Sequence, residues 1–120
     1  MSSVFDNIEL KSDGKGGYSY VMKTTLKYFS PRYRRWVIAK KGDVFDGATG
    51  AIDIDSKGWI VHDVLCRDGV FEDGSKCNNW QASKVLSDIL ADEGRWFRSQ
   101  TWLVATWLFG GGKARDNGMY

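Results

Sequence analysis

The pattern of polar and apolar positions divides the chain into two halves with different periods. Between Tyr18 and Tyr28, the residues Tyr18, Tyr20 and Met22 alternate with Ser19, Val21 and Lys23. This period of two, in a run rich in aromatic and β-branched residues, predicts a half-buried strand. The strand follows the glycine-rich turn segment 13–17. An earlier short strand around Val4 to Leu10 would close a hairpin with it. A third strand is read from Tyr33 to Lys40, after a turn started by Ser30 and Pro31. Lys41, Gly42 and Asp43 turn the chain again, and Val44 and Phe45 begin a short extended piece.

The second half follows a helical period. A helix is predicted from Lys57 to Arg67, with Ser56 as its cap and Asp68–Gly69 as its end. After a loop holding Asp73 and Gly74, Asn78 or Asn79 caps a helix from about Trp80 to Asp92. Its residues Ala82, Val85, Leu86, Ile89 and Leu90 have the spacing of one buried face. Glu93–Gly94 ends it. A third, aromatic-rich helix covers Phe97 to Phe109 and stops at the three glycines 110–112. The polar tail from Lys113 to Tyr120 is expected to fray. The order of elements predicts an α+β domain, with a small antiparallel N-terminal sheet of about three strands packed against a C-terminal cluster of about three helices.

Composition narrows the class. The 120 residues are 42% hydrophobic and 27% charged, an ordinary globular balance that fits one domain over 1–120 and not a disordered chain. The net charge of +2 is too small a bias to call for nucleic acid, and no nucleic-acid partner is expected. Cys66 and Cys77 could make one bridge but no disulfide framework. His62 is the only histidine, which limits metal chemistry. The longest apolar run, Trp102 to Phe109, falls far short of the roughly 20 residues of a membrane span. The first residues lack the basic-then-apolar pattern of a signal peptide, so synthesis in a cytoplasm with reduced thiols is expected.

Six tryptophans stand out. Trp59, Trp80, Trp102 and Trp107 fall in predicted helices at core-compatible spacing, so they are read as packing residues. Trp96, between Arg95 and Arg98, is the one expected to be exposed. The run Arg32, Tyr33, Arg34, Arg35, Trp36 interleaves cations with aromatics. On a strand, Arg32, Arg34 and Trp36 would share one face and Tyr33 and Arg35 the other. A solvated strand face accounts for that arrangement.

The segment with chemical content runs from Asp46 to Asp63. His62 lies one helical turn from both Trp59 and Cys66. Asp46 ends an extended segment at a glycine-containing turn, a usual place for a functional carboxylate. Three readings compete. Asp46 could fix the tautomer of His62, which would then act as a general base. Asp46, His62 and Asp63 could hold a divalent cation that activates water. Or the trio could be structural, a buried histidine satisfied by a carboxylate that pins the loop to the helix. A single histidine without a standard metal spacing weights the last. A thiol activated by its i, i+4 histidine would be a fourth route, but no nucleophile context surrounds Cys66. Glycosidase chemistry needs opposed carboxyl groups, and Glu9, Glu72 and Glu93 all fall at exposed or terminal positions.

Three stretches carry a family resemblance: Trp36 to Gly42, then Val44 to Thr49, then Ile60 to Leu65. With the later helix Gln81 to Leu86 and the ending Leu108, Phe109, Gly110, the chain resembles an uncharacterised family of bacteriophage and prophage proteins, the domain of unknown function numbered 1353. The resemblance covers roughly residues 18 to 112 in order. It aligns Asp46 and Thr49 with the family's strand-and-turn motif, and His62 and Asp63 with its His-Asp pair. Two positions depart. Ser83 stands where the family usually has Asp, and Gly50 stands where it has proline.

The resemblance implies a phage origin. It leaves the biochemistry unassigned, and the favoured expectation is a non-enzymatic virion or host-interaction module in which Asp46, His62 and Asp63 form a structural pocket. The alternative is a small peptidoglycan hydrolase of lysis or cell-wall entry, with that trio as its centre and a divalent metal as its one conceivable cofactor. The loss of a carboxylate at Ser83 favours the module. Thr49, Trp59, Cys66 and Trp96 are the candidate binding residues. Other virion proteins or a host protein are the expected partners, in the host cytoplasm or the virion.

Overall fold

A computed structural model describes residues 8–12, 18–46, 57–109 and 113–119. The protein is α+β. Its strands are β1 (Ile8–Ser12), β2 (Tyr18–Met22), β3 (Leu26–Ser30), β4 (Arg35–Ala39) and β5 (Val44–Asp46). Its helices are α1 (Lys57–Asp68), α2 (Asn79–Asp92), α3 (Trp96–Phe109) and α4 (Lys113–Asp116).

The strands form two sheets. β2 lies between β1 and β5 in an antiparallel three-stranded sheet, and β3 and β4 make a separate hairpin. The register sets Ile8 against Met22 and Tyr20 against Phe45, and all four side chains are buried. In the hairpin, Tyr28, Val37 and Ala39 point inward.

Two strand expectations are corrected. The run from Tyr18 to Tyr28 is two strands in different sheets. Three consecutive polar residues, Lys23, Thr24 and Thr25, interrupt its alternation and lie exposed. The Thr25 hydroxyl accepts from the Lys41 amide at 3.1 Å, and Met22 exchanges backbone bonds with Gly42 and Asp43, which fixes the crossing between sheets. The third strand begins at Arg35 and not at Tyr33. Residues 31–34 form a turn in which the Arg34 amide donates to Ser30 O at 2.7 Å and Arg34 takes φ of 55°. The expected alternation of Arg32 and Arg34 with Tyr33 therefore does not exist. Pro31 has no amide hydrogen for a ladder, so the chain turns before the strand resumes.

The helices lie close to their expected bounds. Asn78 caps α2 in a reciprocal capping box with Gln81, which satisfies two otherwise orphaned amides. α1 is buried on nearly every side, through Trp59, Ile60, Val61, His62, Val64 and Leu65. It is the central rod: β4 packs on one side of it, α2 and α4 on others, and Trp59 reaches the ring of Tyr20 in the three-stranded sheet. A smaller apolar cluster, Leu86 and Leu90 with Trp102, joins α2 to α3.

The expected frayed tail is also corrected. Ala114 is fully buried. The Asn117 amide donates to Gly69 O at 2.8 Å and to Cys77 O at 3.0 Å. Gly118 O accepts from the Asn79 amide, and Met119 O accepts from the Trp107 indole. A polar tail can dock when its polar groups satisfy buried backbone carbonyls. Gly69 makes this possible: its φ is 66°, and a Cβ there would lie 2.9 Å from Lys113 and Asn117 side-chain atoms. Only glycine permits both the left-handed conformation and that approach.

Candidate functional site

The chemically distinctive residues collect where α1 crosses the three-stranded sheet. Tyr20 alternates inward on β2, so its ring enters the core and its hydroxyl must find a partner there. It finds Asp63, one residue past His62 on α1, and donates to Oδ2 at 2.8 Å. Phe45 stacks on the Tyr20 ring at 4.9 Å and Trp59 meets it edge-on at 4.9 Å. Arg67, one turn beyond Asp63, lies over the Phe45 ring at 4.5 Å and reaches Asp43 at 3.4 Å and Asp68 at 2.8 Å.

Burial raises the Asp63 carboxyl to about 6, and the Tyr20 hydroxyl bond partly offsets that rise. The phenol of Tyr20 is pushed far above its ordinary value by burial and by the carboxylate beside it. The pair therefore holds one proton firmly on the phenol, with a carboxyl that titrates above its usual range.

His62 takes a different partner. It is 8% exposed. The Cys66 sulfur lies 3.5 Å from Nε2 and 3.8 Å from Nδ1. Burial lowers the imidazole to about 4. Burial, followed by the Asp63 charge, raises the Cys66 thiol to about 12. Near neutrality this is a neutral imidazole against a protonated thiol. It is not the thiolate–imidazolium pair that nucleophilic catalysis requires. A base titrating near 4 is also a weak proton acceptor at neutral pH. Cys66 and Cys77 are both free thiols.

His62 and Asp63 are thus adjacent in sequence but committed to separate contacts, one to a thiol and one to a phenol. The described part of Asp46 is its backbone, in register with Ser19 on β2. Its side chain and the whole of Thr49 lie outside the described residues, as does the cap expected at Ser56. Trp59 is buried against Tyr20. Trp96 is 68% exposed and belongs to α3, which packs on α2.

Among the described residues, no group of three or more His, Cys, Asp and Glu side chains is placed to hold a metal ion. Two open grooves lie elsewhere. Pro31, Arg32, Asp88 and Asp92 line one, and Val37, Val64, Asp68 and Glu72 line the other. Neither includes His62, Asp63 or Cys66.

Sequence reasoning missed two features. Tyr20 was legible only as a strand residue, although an inward tyrosine always raises the question of its hydroxyl's partner. Ser83 is fully buried and accepts from the Thr106 hydroxyl at 2.8 Å. One turn further on, the Ser87 and Ser99 hydroxyls meet at 2.7 Å, and Asn79 donates to Trp107 O at 2.6 Å. These α2 positions recur every four residues, a spacing that marks one helix face. Ser83 is therefore a helix-contact residue in this chain, at a place where a carboxylate would be buried without a cationic partner among the described residues.

Compared with known proteins, the chain matches no family model, no curated protein and no solved structure.

Proposed function

We propose that this chain is a non-enzymatic module of a bacteriophage, acting in the virion or on a host protein, and that the α1 cluster braces its fold. The observation that carries this reading is the state of His62: buried, neutral, and set against a protonated thiol. A general base or metal ligand in use would need an open face, and the imidazole is spent on packing instead. Asp63 is likewise engaged by Tyr20. The phage assignment rests on the motif resemblance around Asp46, His62 and Asp63. α3 supplies an interaction surface, since Trp96, Phe97, Val104 and Leu108 are all exposed large hydrophobics, and such strips mark contact sites on soluble domains.

The test is His62→Ala, followed by thermal unfolding and by turnover of purified peptidoglycan. Loss of the ring leaves a cavity and an unpartnered thiol, at a cost of roughly 2–3 kcal/mol. The expected result is a clear fall in melting temperature, with no peptidoglycan hydrolysis by either form. Hydrolysis by the wild type that vanishes in the variant at unchanged melting temperature establishes the hydrolase reading instead. Detection of the chain in purified particles would separate the virion role from action on a host protein.

A further inference from the structure

The stretch from Lys23 to Lys41 contains seven Lys and Arg residues and no Asp or Glu. It forms the β3–β4 hairpin and the turns at both of its ends. A net charge of +2 over the whole chain hides this local concentration. The inner face of the hairpin packs on α1 through Val37 and Ala39, so the outer face is the one open to solvent.

That outer face has an aromatic centre. Phe29 and Trp36 stand opposite each other in the hairpin register. Their rings meet edge-to-face at 5.3 Å, and they are 42% and 48% exposed. Two large rings kept on a solvent-facing sheet surface, when the core beneath them is already filled, do not contribute to that core. Not every cation nearby is available. Arg32 is bidentate to Asp88 at 2.8 and 3.0 Å, and Arg35 lies 3.3 Å from Asp73. Among the described residues, Lys23, Lys27, Arg34 and Lys41 make no side-chain ion pair, and all four are exposed. Lys27 shares the outer face with Phe29. Arg34 sits in the closed turn, while Lys23 and Lys41 flank the open end. Exposed rings bracketed by unpaired cations along about 17 Å of strand combine the two elements of a single-strand platform. These are π-faces on which bases stack and charges that follow the phosphates.

We propose that the outer face of the β3–β4 hairpin binds single-stranded nucleic acid, with bases stacked on Trp36 and Phe29 and phosphates held by Lys27, Arg34 and the cations of the open end. This site is independent of the α1 cluster and stands whether or not the module reading of that cluster holds.

The experiment is fluorescence anisotropy of a labelled oligothymidylate titrated with the full chain. Competitors are the matching duplex, polyglutamate, and phosphatidylglycerol vesicles. Binding should weaken with salt at a log–log slope of about −3, as expected for roughly four neutralised phosphates on a single strand. Trp36→Ala should lower affinity about tenfold, and Lys27→Glu should lower it further and flatten the salt slope. Both positions are on the surface, and an unchanged circular dichroism spectrum confirms folding. Duplex and polyglutamate should compete poorly. The proposal is overturned by no binding at low salt, by affinity indifferent to Trp36→Ala, or by equal competition from the duplex, polyglutamate or the vesicles.

Discussion

The two buried polar regions of this protein handle desolvation in opposite ways. Between α2 and α3 the buried groups are neutral. Ser83 meets Thr106, Ser87 meets Ser99, and the Asn79 side-chain nitrogen meets a carbonyl, while its Oδ1 is buried without a partner among the described residues. Around α1 the buried and partly buried groups are ionisable: Tyr20, His62, Asp63 and Cys66 all have their charged forms suppressed by desolvation. The first arrangement contributes the same stability at any pH. The second ties stability to proton uptake, because each displaced pKa is a difference between folded and unfolded states. Burying a polar side chain costs little when it is neutral and paired, whereas burying an ionisable one makes the fold sensitive to pH.

The largest expected effect comes from converting one region into the other. Ser83→Asp would place a carboxylate in the helix interface where Ser83 now meets only the neutral Thr106 hydroxyl. Destabilisation of about 3 kcal/mol or more is expected at pH 7, with recovery on acidification as the carboxyl protonates. Urea unfolding at several pH values measures both. A variant as stable as the wild type at neutral pH would mean that the α2–α3 contact opens readily, and the contrast between the regions would dissolve.

A second experiment separates the two titrations of the α1 cluster. His62 is lowered from 6.5 to about 4, so the unfolded chain binds more protons between those values and stability falls as pH drops from 6.5 toward 4. Asp63 is raised from 3.8 to about 6, so the folded chain binds more protons there and stability falls as pH rises through that range. The slopes oppose each other, and the wild type should be nearly flat between pH 4 and 6. Asp63→Asn removes one slope. The variant should then lose roughly 3 kcal/mol between pH 6.5 and 4. A flat profile in the variant would show that the imidazole is not desolvated.

The smallest effect expected is that of Tyr20→Phe. It keeps the ring packing on Phe45 and Trp59 and removes the donor to Asp63, for a loss of about 1–2 kcal/mol. The carboxyl should titrate higher still, because the lost bond was holding it down. NMR titration of the Asp63 side chain gives the direction, and a downward shift would refute the assigned pairing.

The period of the hydrophobic pattern determined much of the fold by itself. The helices α1, α2 and α3, a cap at Asn78 or Asn79, the stop at Gly69 and the α+β class follow from local rules of spacing and capping that act within a few residues. The sequence also singled out His62 and Asp63 within the segment from Asp46 to Asp63, and Trp96 as an exposed aromatic. Only the tertiary structure decided the rest. The apparent strand from Tyr18 to Tyr28 divides between two sheets because Met22 and Leu26 are claimed by different partners. The polar tail docks because Asn117 reaches carbonyls on distant loops. His62 pairs with Cys66 and Asp63 with Tyr20, since neighbours on a helix point in different directions and each meets whatever the fold brings to it. Spacing along the chain states which residues can share a face. Which group lies opposite, and whether water is excluded between them, depends on residues far away in sequence, and those two conditions set the protonation of this cluster.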